Sequence, residues 1–240
     1  ASKRMSEYIH FAVAEKNENI WIAQRQGRAK NSNDLTQPAI LKMMAMGGEG
    51  SIIDRLKQLH IVPLTISYEY DPCDYLKARE YQLRRDVPYW KKTAEDDMES
   101  MLVGIKGFKG HIFYRCAPCI DEWLDTVDAE QPKNKLFDEI AAHIDREIHS
   151  NYELYPCNYV ALDMIQDTKV YEEYYTSEDY QKFDEYINGQ IEKIDIENRD
   201  DHFLRICLLT QYAYPAKNYI AASSENGRFK SLLNRLTFKK

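Results

Sequence analysis

Arg25, Arg28 and Lys30 surround one glycine, Gly27, directly after the apolar run Ile20-Trp21-Ile22-Ala23. Cationic side chains on a glycine loop at a strand end offer backbone N–H donors and positive charge together, a combination that holds phosphate. The other reading of these residues is a solvated turn carrying surface arginines. A second group, Cys116-Ala117-Pro118-Cys119, has the spacing of a redox pair. Zinc would need two further ligands, and the sequence has no second Cys-x-x-Cys and no nearby His-x-x-x-His. The spacing therefore defines no metal site, and free, buried cysteines are the plainer reading. His143 and His149 stand about 240° apart on a helix and cannot share a ligand.

Composition limits what these groups can serve. The chain has 240 residues, 44% hydrophobic and 30% charged, enough for a large domain with its own core. No stretch approaches about 18 uninterrupted apolar residues, and no signal peptide is recognisable. Five scattered cysteines, an odd number, argue against a disulfide framework and for a reducing, cytoplasmic setting. A formal charge of −7 speaks against nucleic acid as a partner, since such proteins carry a basic footprint. The charge is uneven: Asp163 to Asp201 holds 13 acidic and 4 basic residues, and Arg228 to Lys240 five basic and no acidic ones.

The elements that would position the basic loop follow from periodicity. Met5, Tyr8, Ile9, Ala12 and Val13 recur at helical spacing, and Ile20 to Ala23 reads as a buried strand. Thr36 followed by Pro38 opens a helix that Gly47-Gly48 stop. Ser51 with Asp54 reads as a capping box, and Thr93 with the acids after it starts a further helix. Val62, Leu64, Ile66, Tyr68 and Tyr70 alternate with Pro63, Thr65, Ser67 and Glu69, the pattern of a half-buried strand. The glycines Gly104, Gly107 and Gly110 lead to a third strand, His111 to Cys116. Strands alternating with helices predict an α/β layer, an incomplete, mostly parallel sheet flanked by helices, over residues 1–125. Residues 126–240 predict an all-helical, acidic, tyrosine-rich extension, with Thr176 and Asp179 capping one helix and Pro215 breaking or kinking another. The tyrosines from Tyr171 to Tyr186 have acidic neighbours, so they read as helix packing rather than base stacking.

The order of these pieces resembles the glycerophospholipid acyltransferases of the lysophosphatidic acid acyltransferase type, over about residues 3 to 125. Trp21 to Lys30 resembles the family's third block, a strand running into Phe-Pro-Glu-Gly-Thr-Arg-Ser. Ile61-Val62-Pro63-Leu64 is similar to its fourth block, and Tyr114 to Asp121 stands where a Gly-x-Pro-Ile turn belongs. The loop's wording is similar to a branch common in bacteria of the Bacteroides type. The resemblance implies an enzyme that moves a fatty acyl group from a thioester, acyl-CoA or acyl carrier protein, to a glycerol-phosphate or lysophospholipid hydroxyl. It implies phosphate contacts from Arg28, the Gly27 backbone, Lys30 and Gln26, and no cofactor beyond the acyl donor.

Two departures stand out. Gln26 replaces the family's glutamate, so it accepts hydrogen bonds but cannot pair electrostatically with Arg28. The family's His-x-x-x-x-Asp, a base and the carboxylate that orients it, has no counterpart. Five residues after His10, His60, His111, His143, His149 and His202 stand Glu15, Thr65, Cys116, Ile148, Leu154 and Cys207. The expectation is a carboxyl-terminal portion of such a protein, inactive alone, with no catalytic residue of its own. The alternative is a non-catalytic binding or scaffold module that keeps the fold. Phe229, Leu232, Leu233 and Leu236 share a helical face ringed by basic residues, suited to a peripheral contact of residues 228–240 with the inner membrane face. A last helix packed on the acidic part fits the same residues.

Overall fold

A computed structural model of the protein describes residues 1–24 and 30–224. It is 59% helical, with one small sheet. The chain forms two compact units that interleave along the sequence. The first comprises Ala1–Arg28, Asp34–Thr65 and Arg115–Asn151; the second comprises Ala29–Asn33, Ile66–Tyr114 and Tyr152–Lys240. The division expected near residue 125 falls inside the first unit.

The first unit opens with α1 (Ser2–His10), which continues into a π-helical turn, Phe11–Glu15. Its buried face is Ser6, Ile9, His10 and Ala12, while Met5 and Tyr8 are exposed. The rotation has a polar cause: Ser6 Oγ donates to the Met44 carbonyl at 2.7 Å and accepts from the Gly47 N–H at 2.7 Å. Then follow α2 (Pro38–Met44) and α3 (Ile52–Lys57). Pro38 takes the first turn of α2 with Gln37 at the cap position, and Thr36 turns elsewhere. Ser51 and Asp54 form the reciprocal capping box that begins α3. After α6 (Asp121–Leu124), the long α7 (Lys133–Ser150) closes the unit. Leu136, Phe137, Ile140 and Ile144 of α7 join Leu41, Leu56, Ile120 and Leu124 in one apolar core.

The second unit is built on α4 (Asp74–Asp86), α5 (Ala94–Lys106), α8 (Pro156–Gln166), α9 (Ser177–Glu192) and α10 (Asp201–Ser224). Thr93/Asp96 and Thr176/Asp179 cap α5 and α9 through the same two-way box. Val160, Phe183, Ile187, Leu204 and Leu208 fill its core. Pro215 does not end α10, which runs on to Ser224. By contrast α5 buries none of its residues; Met98, Met101, Leu102 and Ile105 are exposed.

The mostly parallel sheet is not found. Among the described residues there are two strands, β1 (Leu64–Tyr68) and β2 (Ile112–Cys116), paired antiparallel. The Ile20–Ala23 run enters no ladder; Trp21 is 75% exposed, and only Ile22 packs on the first unit's core. An apolar run becomes a strand only beside a partner edge, and here it has none. The alternation of β1 is present with its faces exchanged. Pro63, Thr65 and Ser67 are buried, while Val62 and Tyr68 are exposed. Hydrogen bonds account for the exchange: Thr65 Oγ1 donates to the Ile148 carbonyl at 2.9 Å, and Ser67 Oγ accepts from the Glu153 N–H at 3.0 Å.

Candidate functional site

Arg25, Gln26, Gly27 and Arg28 lie outside the described residues, as does 228–240, but the loop's flanks do not. Gln24 and Thr36 meet on one carboxylate oxygen of α7, Asp145 Oδ1. It accepts from Gln24 Nε2 at 2.9 Å, from the Thr36 N–H at 2.7 Å and from Thr36 Oγ1 at 2.6 Å. Gln24 Nε2 also donates to Thr36 Oγ1 at 3.0 Å, and the Gln37 N–H donates to the Gln24 carbonyl at 3.1 Å. Gln24 and Thr36, which flank the basic segment in sequence, are thus clasped together by Asp145. No sequence signal marks Asp145, a lone acid among the other acids and bases of α7.

Lys30 is described, and its ammonium pairs with the buried carboxylate of Glu80. Arg84 reaches the same Glu80 oxygen at 2.7 Å. Expected as a phosphate contact, Lys30 already has its charge matched within the protein. Arg28 and the Gly27 backbone are therefore the principal sequence-derived candidates for an anion.

The Val-Pro segment and the Cys-Ala-Pro-Cys turn, far apart in sequence, lie side by side. The Ala117 N–H donates to the Pro63 carbonyl at 2.9 Å and the Ile120 N–H to the Ile61 carbonyl at 3.0 Å. This pairing carries Cys119 and Asp121 to His60, which follows α3 in the left-handed conformation at φ 46°. His60 Nδ1 and Asp121 Oδ2 are 2.6 Å apart. One ligand-type atom from each of His60, Cys119 and Asp121 lies within 4.8 Å of the other two. Burial pushes the Cys119 thiol up, and the adjacent Asp121 carboxylate pushes it the same way. All five cysteines are free. Cys116, expected to be buried, is exposed and stands outside this group.

Three further histidines, His10, His143 and His149, are set by their surroundings. His10 is buried in α1, its Nε2 3.1 Å from the Met44 carbonyl, and its ring occupies the space where a Cβ on Gly48 (φ +75°) would sit. His143 is stacked on Trp123, and burial first, then the charge of Arg146, lowers its pKa to about 4. His149 is buried with Nε2 3.3 Å from the Asp34 carbonyl, and burial shifts its pKa downward.

In the second unit Asp74 is fully buried, with Oδ2 accepting from Tyr212 at 2.6 Å and from Tyr186 at 2.8 Å. Asp163 binds the N–H groups of Val170 and Tyr171 and the hydroxyl of Tyr175. Asp74 thus ties α4 to α9 and α10, and Asp163 ties α8 to the segment that follows it. No protein-family model, no curated protein and no solved structure matches the chain.

Proposed function

We propose that the chain is the acceptor-binding portion of an acyltransferase, one that moves a fatty acyl group from acyl-CoA or acyl carrier protein to the hydroxyl of a glycerol phosphate or lysophospholipid. The observation that carries this reading is the succession, along one chain, of the basic glycine loop, the Val-Pro segment and the proline turn. The backbone pairing of residues 61–63 with 117–120 supports it, since two of the three blocks are neighbours in space. The Asp145 clasp supports it as well, by giving the loop a fixed base.

Chemically, the loop's task is recognition. Arg28 provides a forked, permanently charged donor set that matches two phosphate oxygens, and Gly27 lets its backbone N–H come close. Gln26 accepts or donates at the acceptor's hydroxyls. Lys30 is held by Glu80 instead. Proton removal from the attacking hydroxyl is the task of the family's His-x-x-x-x-Asp block, a spacing this sequence does not contain. The segment 228–240 is assigned to the lipid surface on which such an acceptor resides, at the inner membrane face. Among the described residues no helix is long and apolar enough to cross a membrane.

The test is acyl transfer to glycerol 3-phosphate and to lysophosphatidate from both donors, by the 240-residue chain and by the chain lengthened upstream along its coding sequence. Transfer by the lengthened chain, through an upstream His-x-x-x-x-Asp, is the expected result. A coding sequence without that pair, or an inactive lengthened chain, overturns the reading in favour of a non-catalytic module.

A further inference from the structure

We propose that His60, Cys119 and Asp121 form a binding site for a zinc ion, with the fourth position left to water. The proposal goes beyond the acyl-transfer reading and does not depend on it.

The donor set is the first argument. An imidazole, a thiol and a carboxylate are the three side-chain types that zinc takes, whereas magnesium and calcium select oxygen alone. Their ligand atoms already lie within 4.8 Å of one another, so a central ion is reached by rotations of side chains. The ideal spans between ligands of tetrahedral zinc follow from bonds of about 2.0–2.3 Å.

The second argument is that the backbone assembles the three groups. Cys119 and Asp121 flank Ile120, whose N–H is fixed to the Ile61 carbonyl next to His60. Ile120 itself is buried in the core of the first unit, which anchors the turn from beneath.

A third observation is a polar atom with nothing to bind. Asp121 directs Oδ2 to His60, but its other oxygen, Oδ1, is buried with no hydrogen-bond partner. Buried carboxylate oxygens are rarely left so, and a cation in the group would satisfy it. His60 is largely exposed, which gives an ion a path from solvent. Sequence spacing conceals the set because its histidine stands 61 residues from its aspartate.

The experiment uses the full chain, reduced and freed of metal, titrated with zinc against a chromophoric chelator. Cobalt(II) is the spectroscopic probe. The expected result is one equivalent of zinc, and with cobalt a thiolate-to-metal charge-transfer band. His60→Gln, Cys119→Ser and Asp121→Asn each weaken zinc binding by about tenfold or more. Cys116→Ser binds like the parent. His60→Gln alters an exposed side chain and tests the proposal without disturbing the core. Absence of binding, binding indifferent to His60→Gln, or binding abolished by Cys116→Ser, the mark of a plain dithiol, each overturns the site.

Discussion

Trp123 lies flat on His143: the ring centroids are 3.7 Å apart and the planes 4° from parallel. The stack excludes water from one face of the imidazole, and Arg146 stands 3.5 Å from its Nδ1. Burial, then the arginine's charge, lowers the histidine's pKa to about 4 from an ordinary 6.5. The unfolded chain therefore binds a proton between these values that the folded one refuses. The stabilising effect is complete above about pH 6.5 and is lost as pH falls toward about 4. Denaturant midpoints measured across this window should fall for the parent and fall less for His143→Phe, which keeps the stack without the titration. Parallel curves would refute the assignment.

Arg28→Ala should weaken binding of glycerol 3-phosphate by about 1–3 kcal/mol, the usual cost of losing a charged hydrogen-bond donor. Lys30→Met should change binding much less, because Glu80 already takes that ammonium. Its effect belongs to stability, where it leaves the buried Glu80 with Arg84 alone. Isothermal titration and thermal melting of the two variants separate these roles. Equal losses of affinity would return Lys30 to the phosphate site.

Asp145→Ala should cost about 1.5–3 kcal/mol, since one ionised oxygen accepts three donors from the flanks of the basic loop. For a chain of this size that lowers the melting temperature by several degrees. A drop in acceptor affinity should accompany it, because the loop's base comes undone. An unchanged melting curve would show the clasp to be decorative.

Tyr212→Phe should destabilise by about 1–3 kcal/mol near pH 7 and by less near pH 4. The reason is Asp74, whose pKa burial raises to about 6 against the opposing hydrogen bonds of Tyr212 and Tyr186. A carboxyl raised in this way holds its proton longer in the folded state, so its stabilising contribution declines as pH climbs from about 3.8 to about 6. The hydroxyl of Tyr212 matters most once the charge has formed. Melting at the two pH values, with Asp74→Asn as a reference lacking the titration, reads this out.

Local signals were legible in the sequence wherever the chemistry is local. The boxes at Ser51, Thr93 and Thr176 start helices because a hydroxyl and an acid three residues on satisfy each other's backbone. The apolar face of α7 was readable for the same reason, its period being that of the helix. What failed depends on partners distant in sequence. Ile20–Ala23 has a strand's composition and no edge to join. Thr36 looked like a cap until Asp145 claimed its hydroxyl. Pro215 allows a break or a kink, and α10 continues past it, flanked by the buried Tyr212 and Ala216. The group of His60, Cys119 and Asp121 left no trace because no spacing rule joins residues brought together by a β-type pairing.

The exchanged faces of β1 invert the customary rule for editing a strand. Hydrocarbon at Tyr68 faces water, and two small alcohols, Thr65 and Ser67, hold the register. Greasing the inner row, by a valine at position 65 or an alanine at 67, removes what keeps the ribbon from sliding one residue and turning itself over.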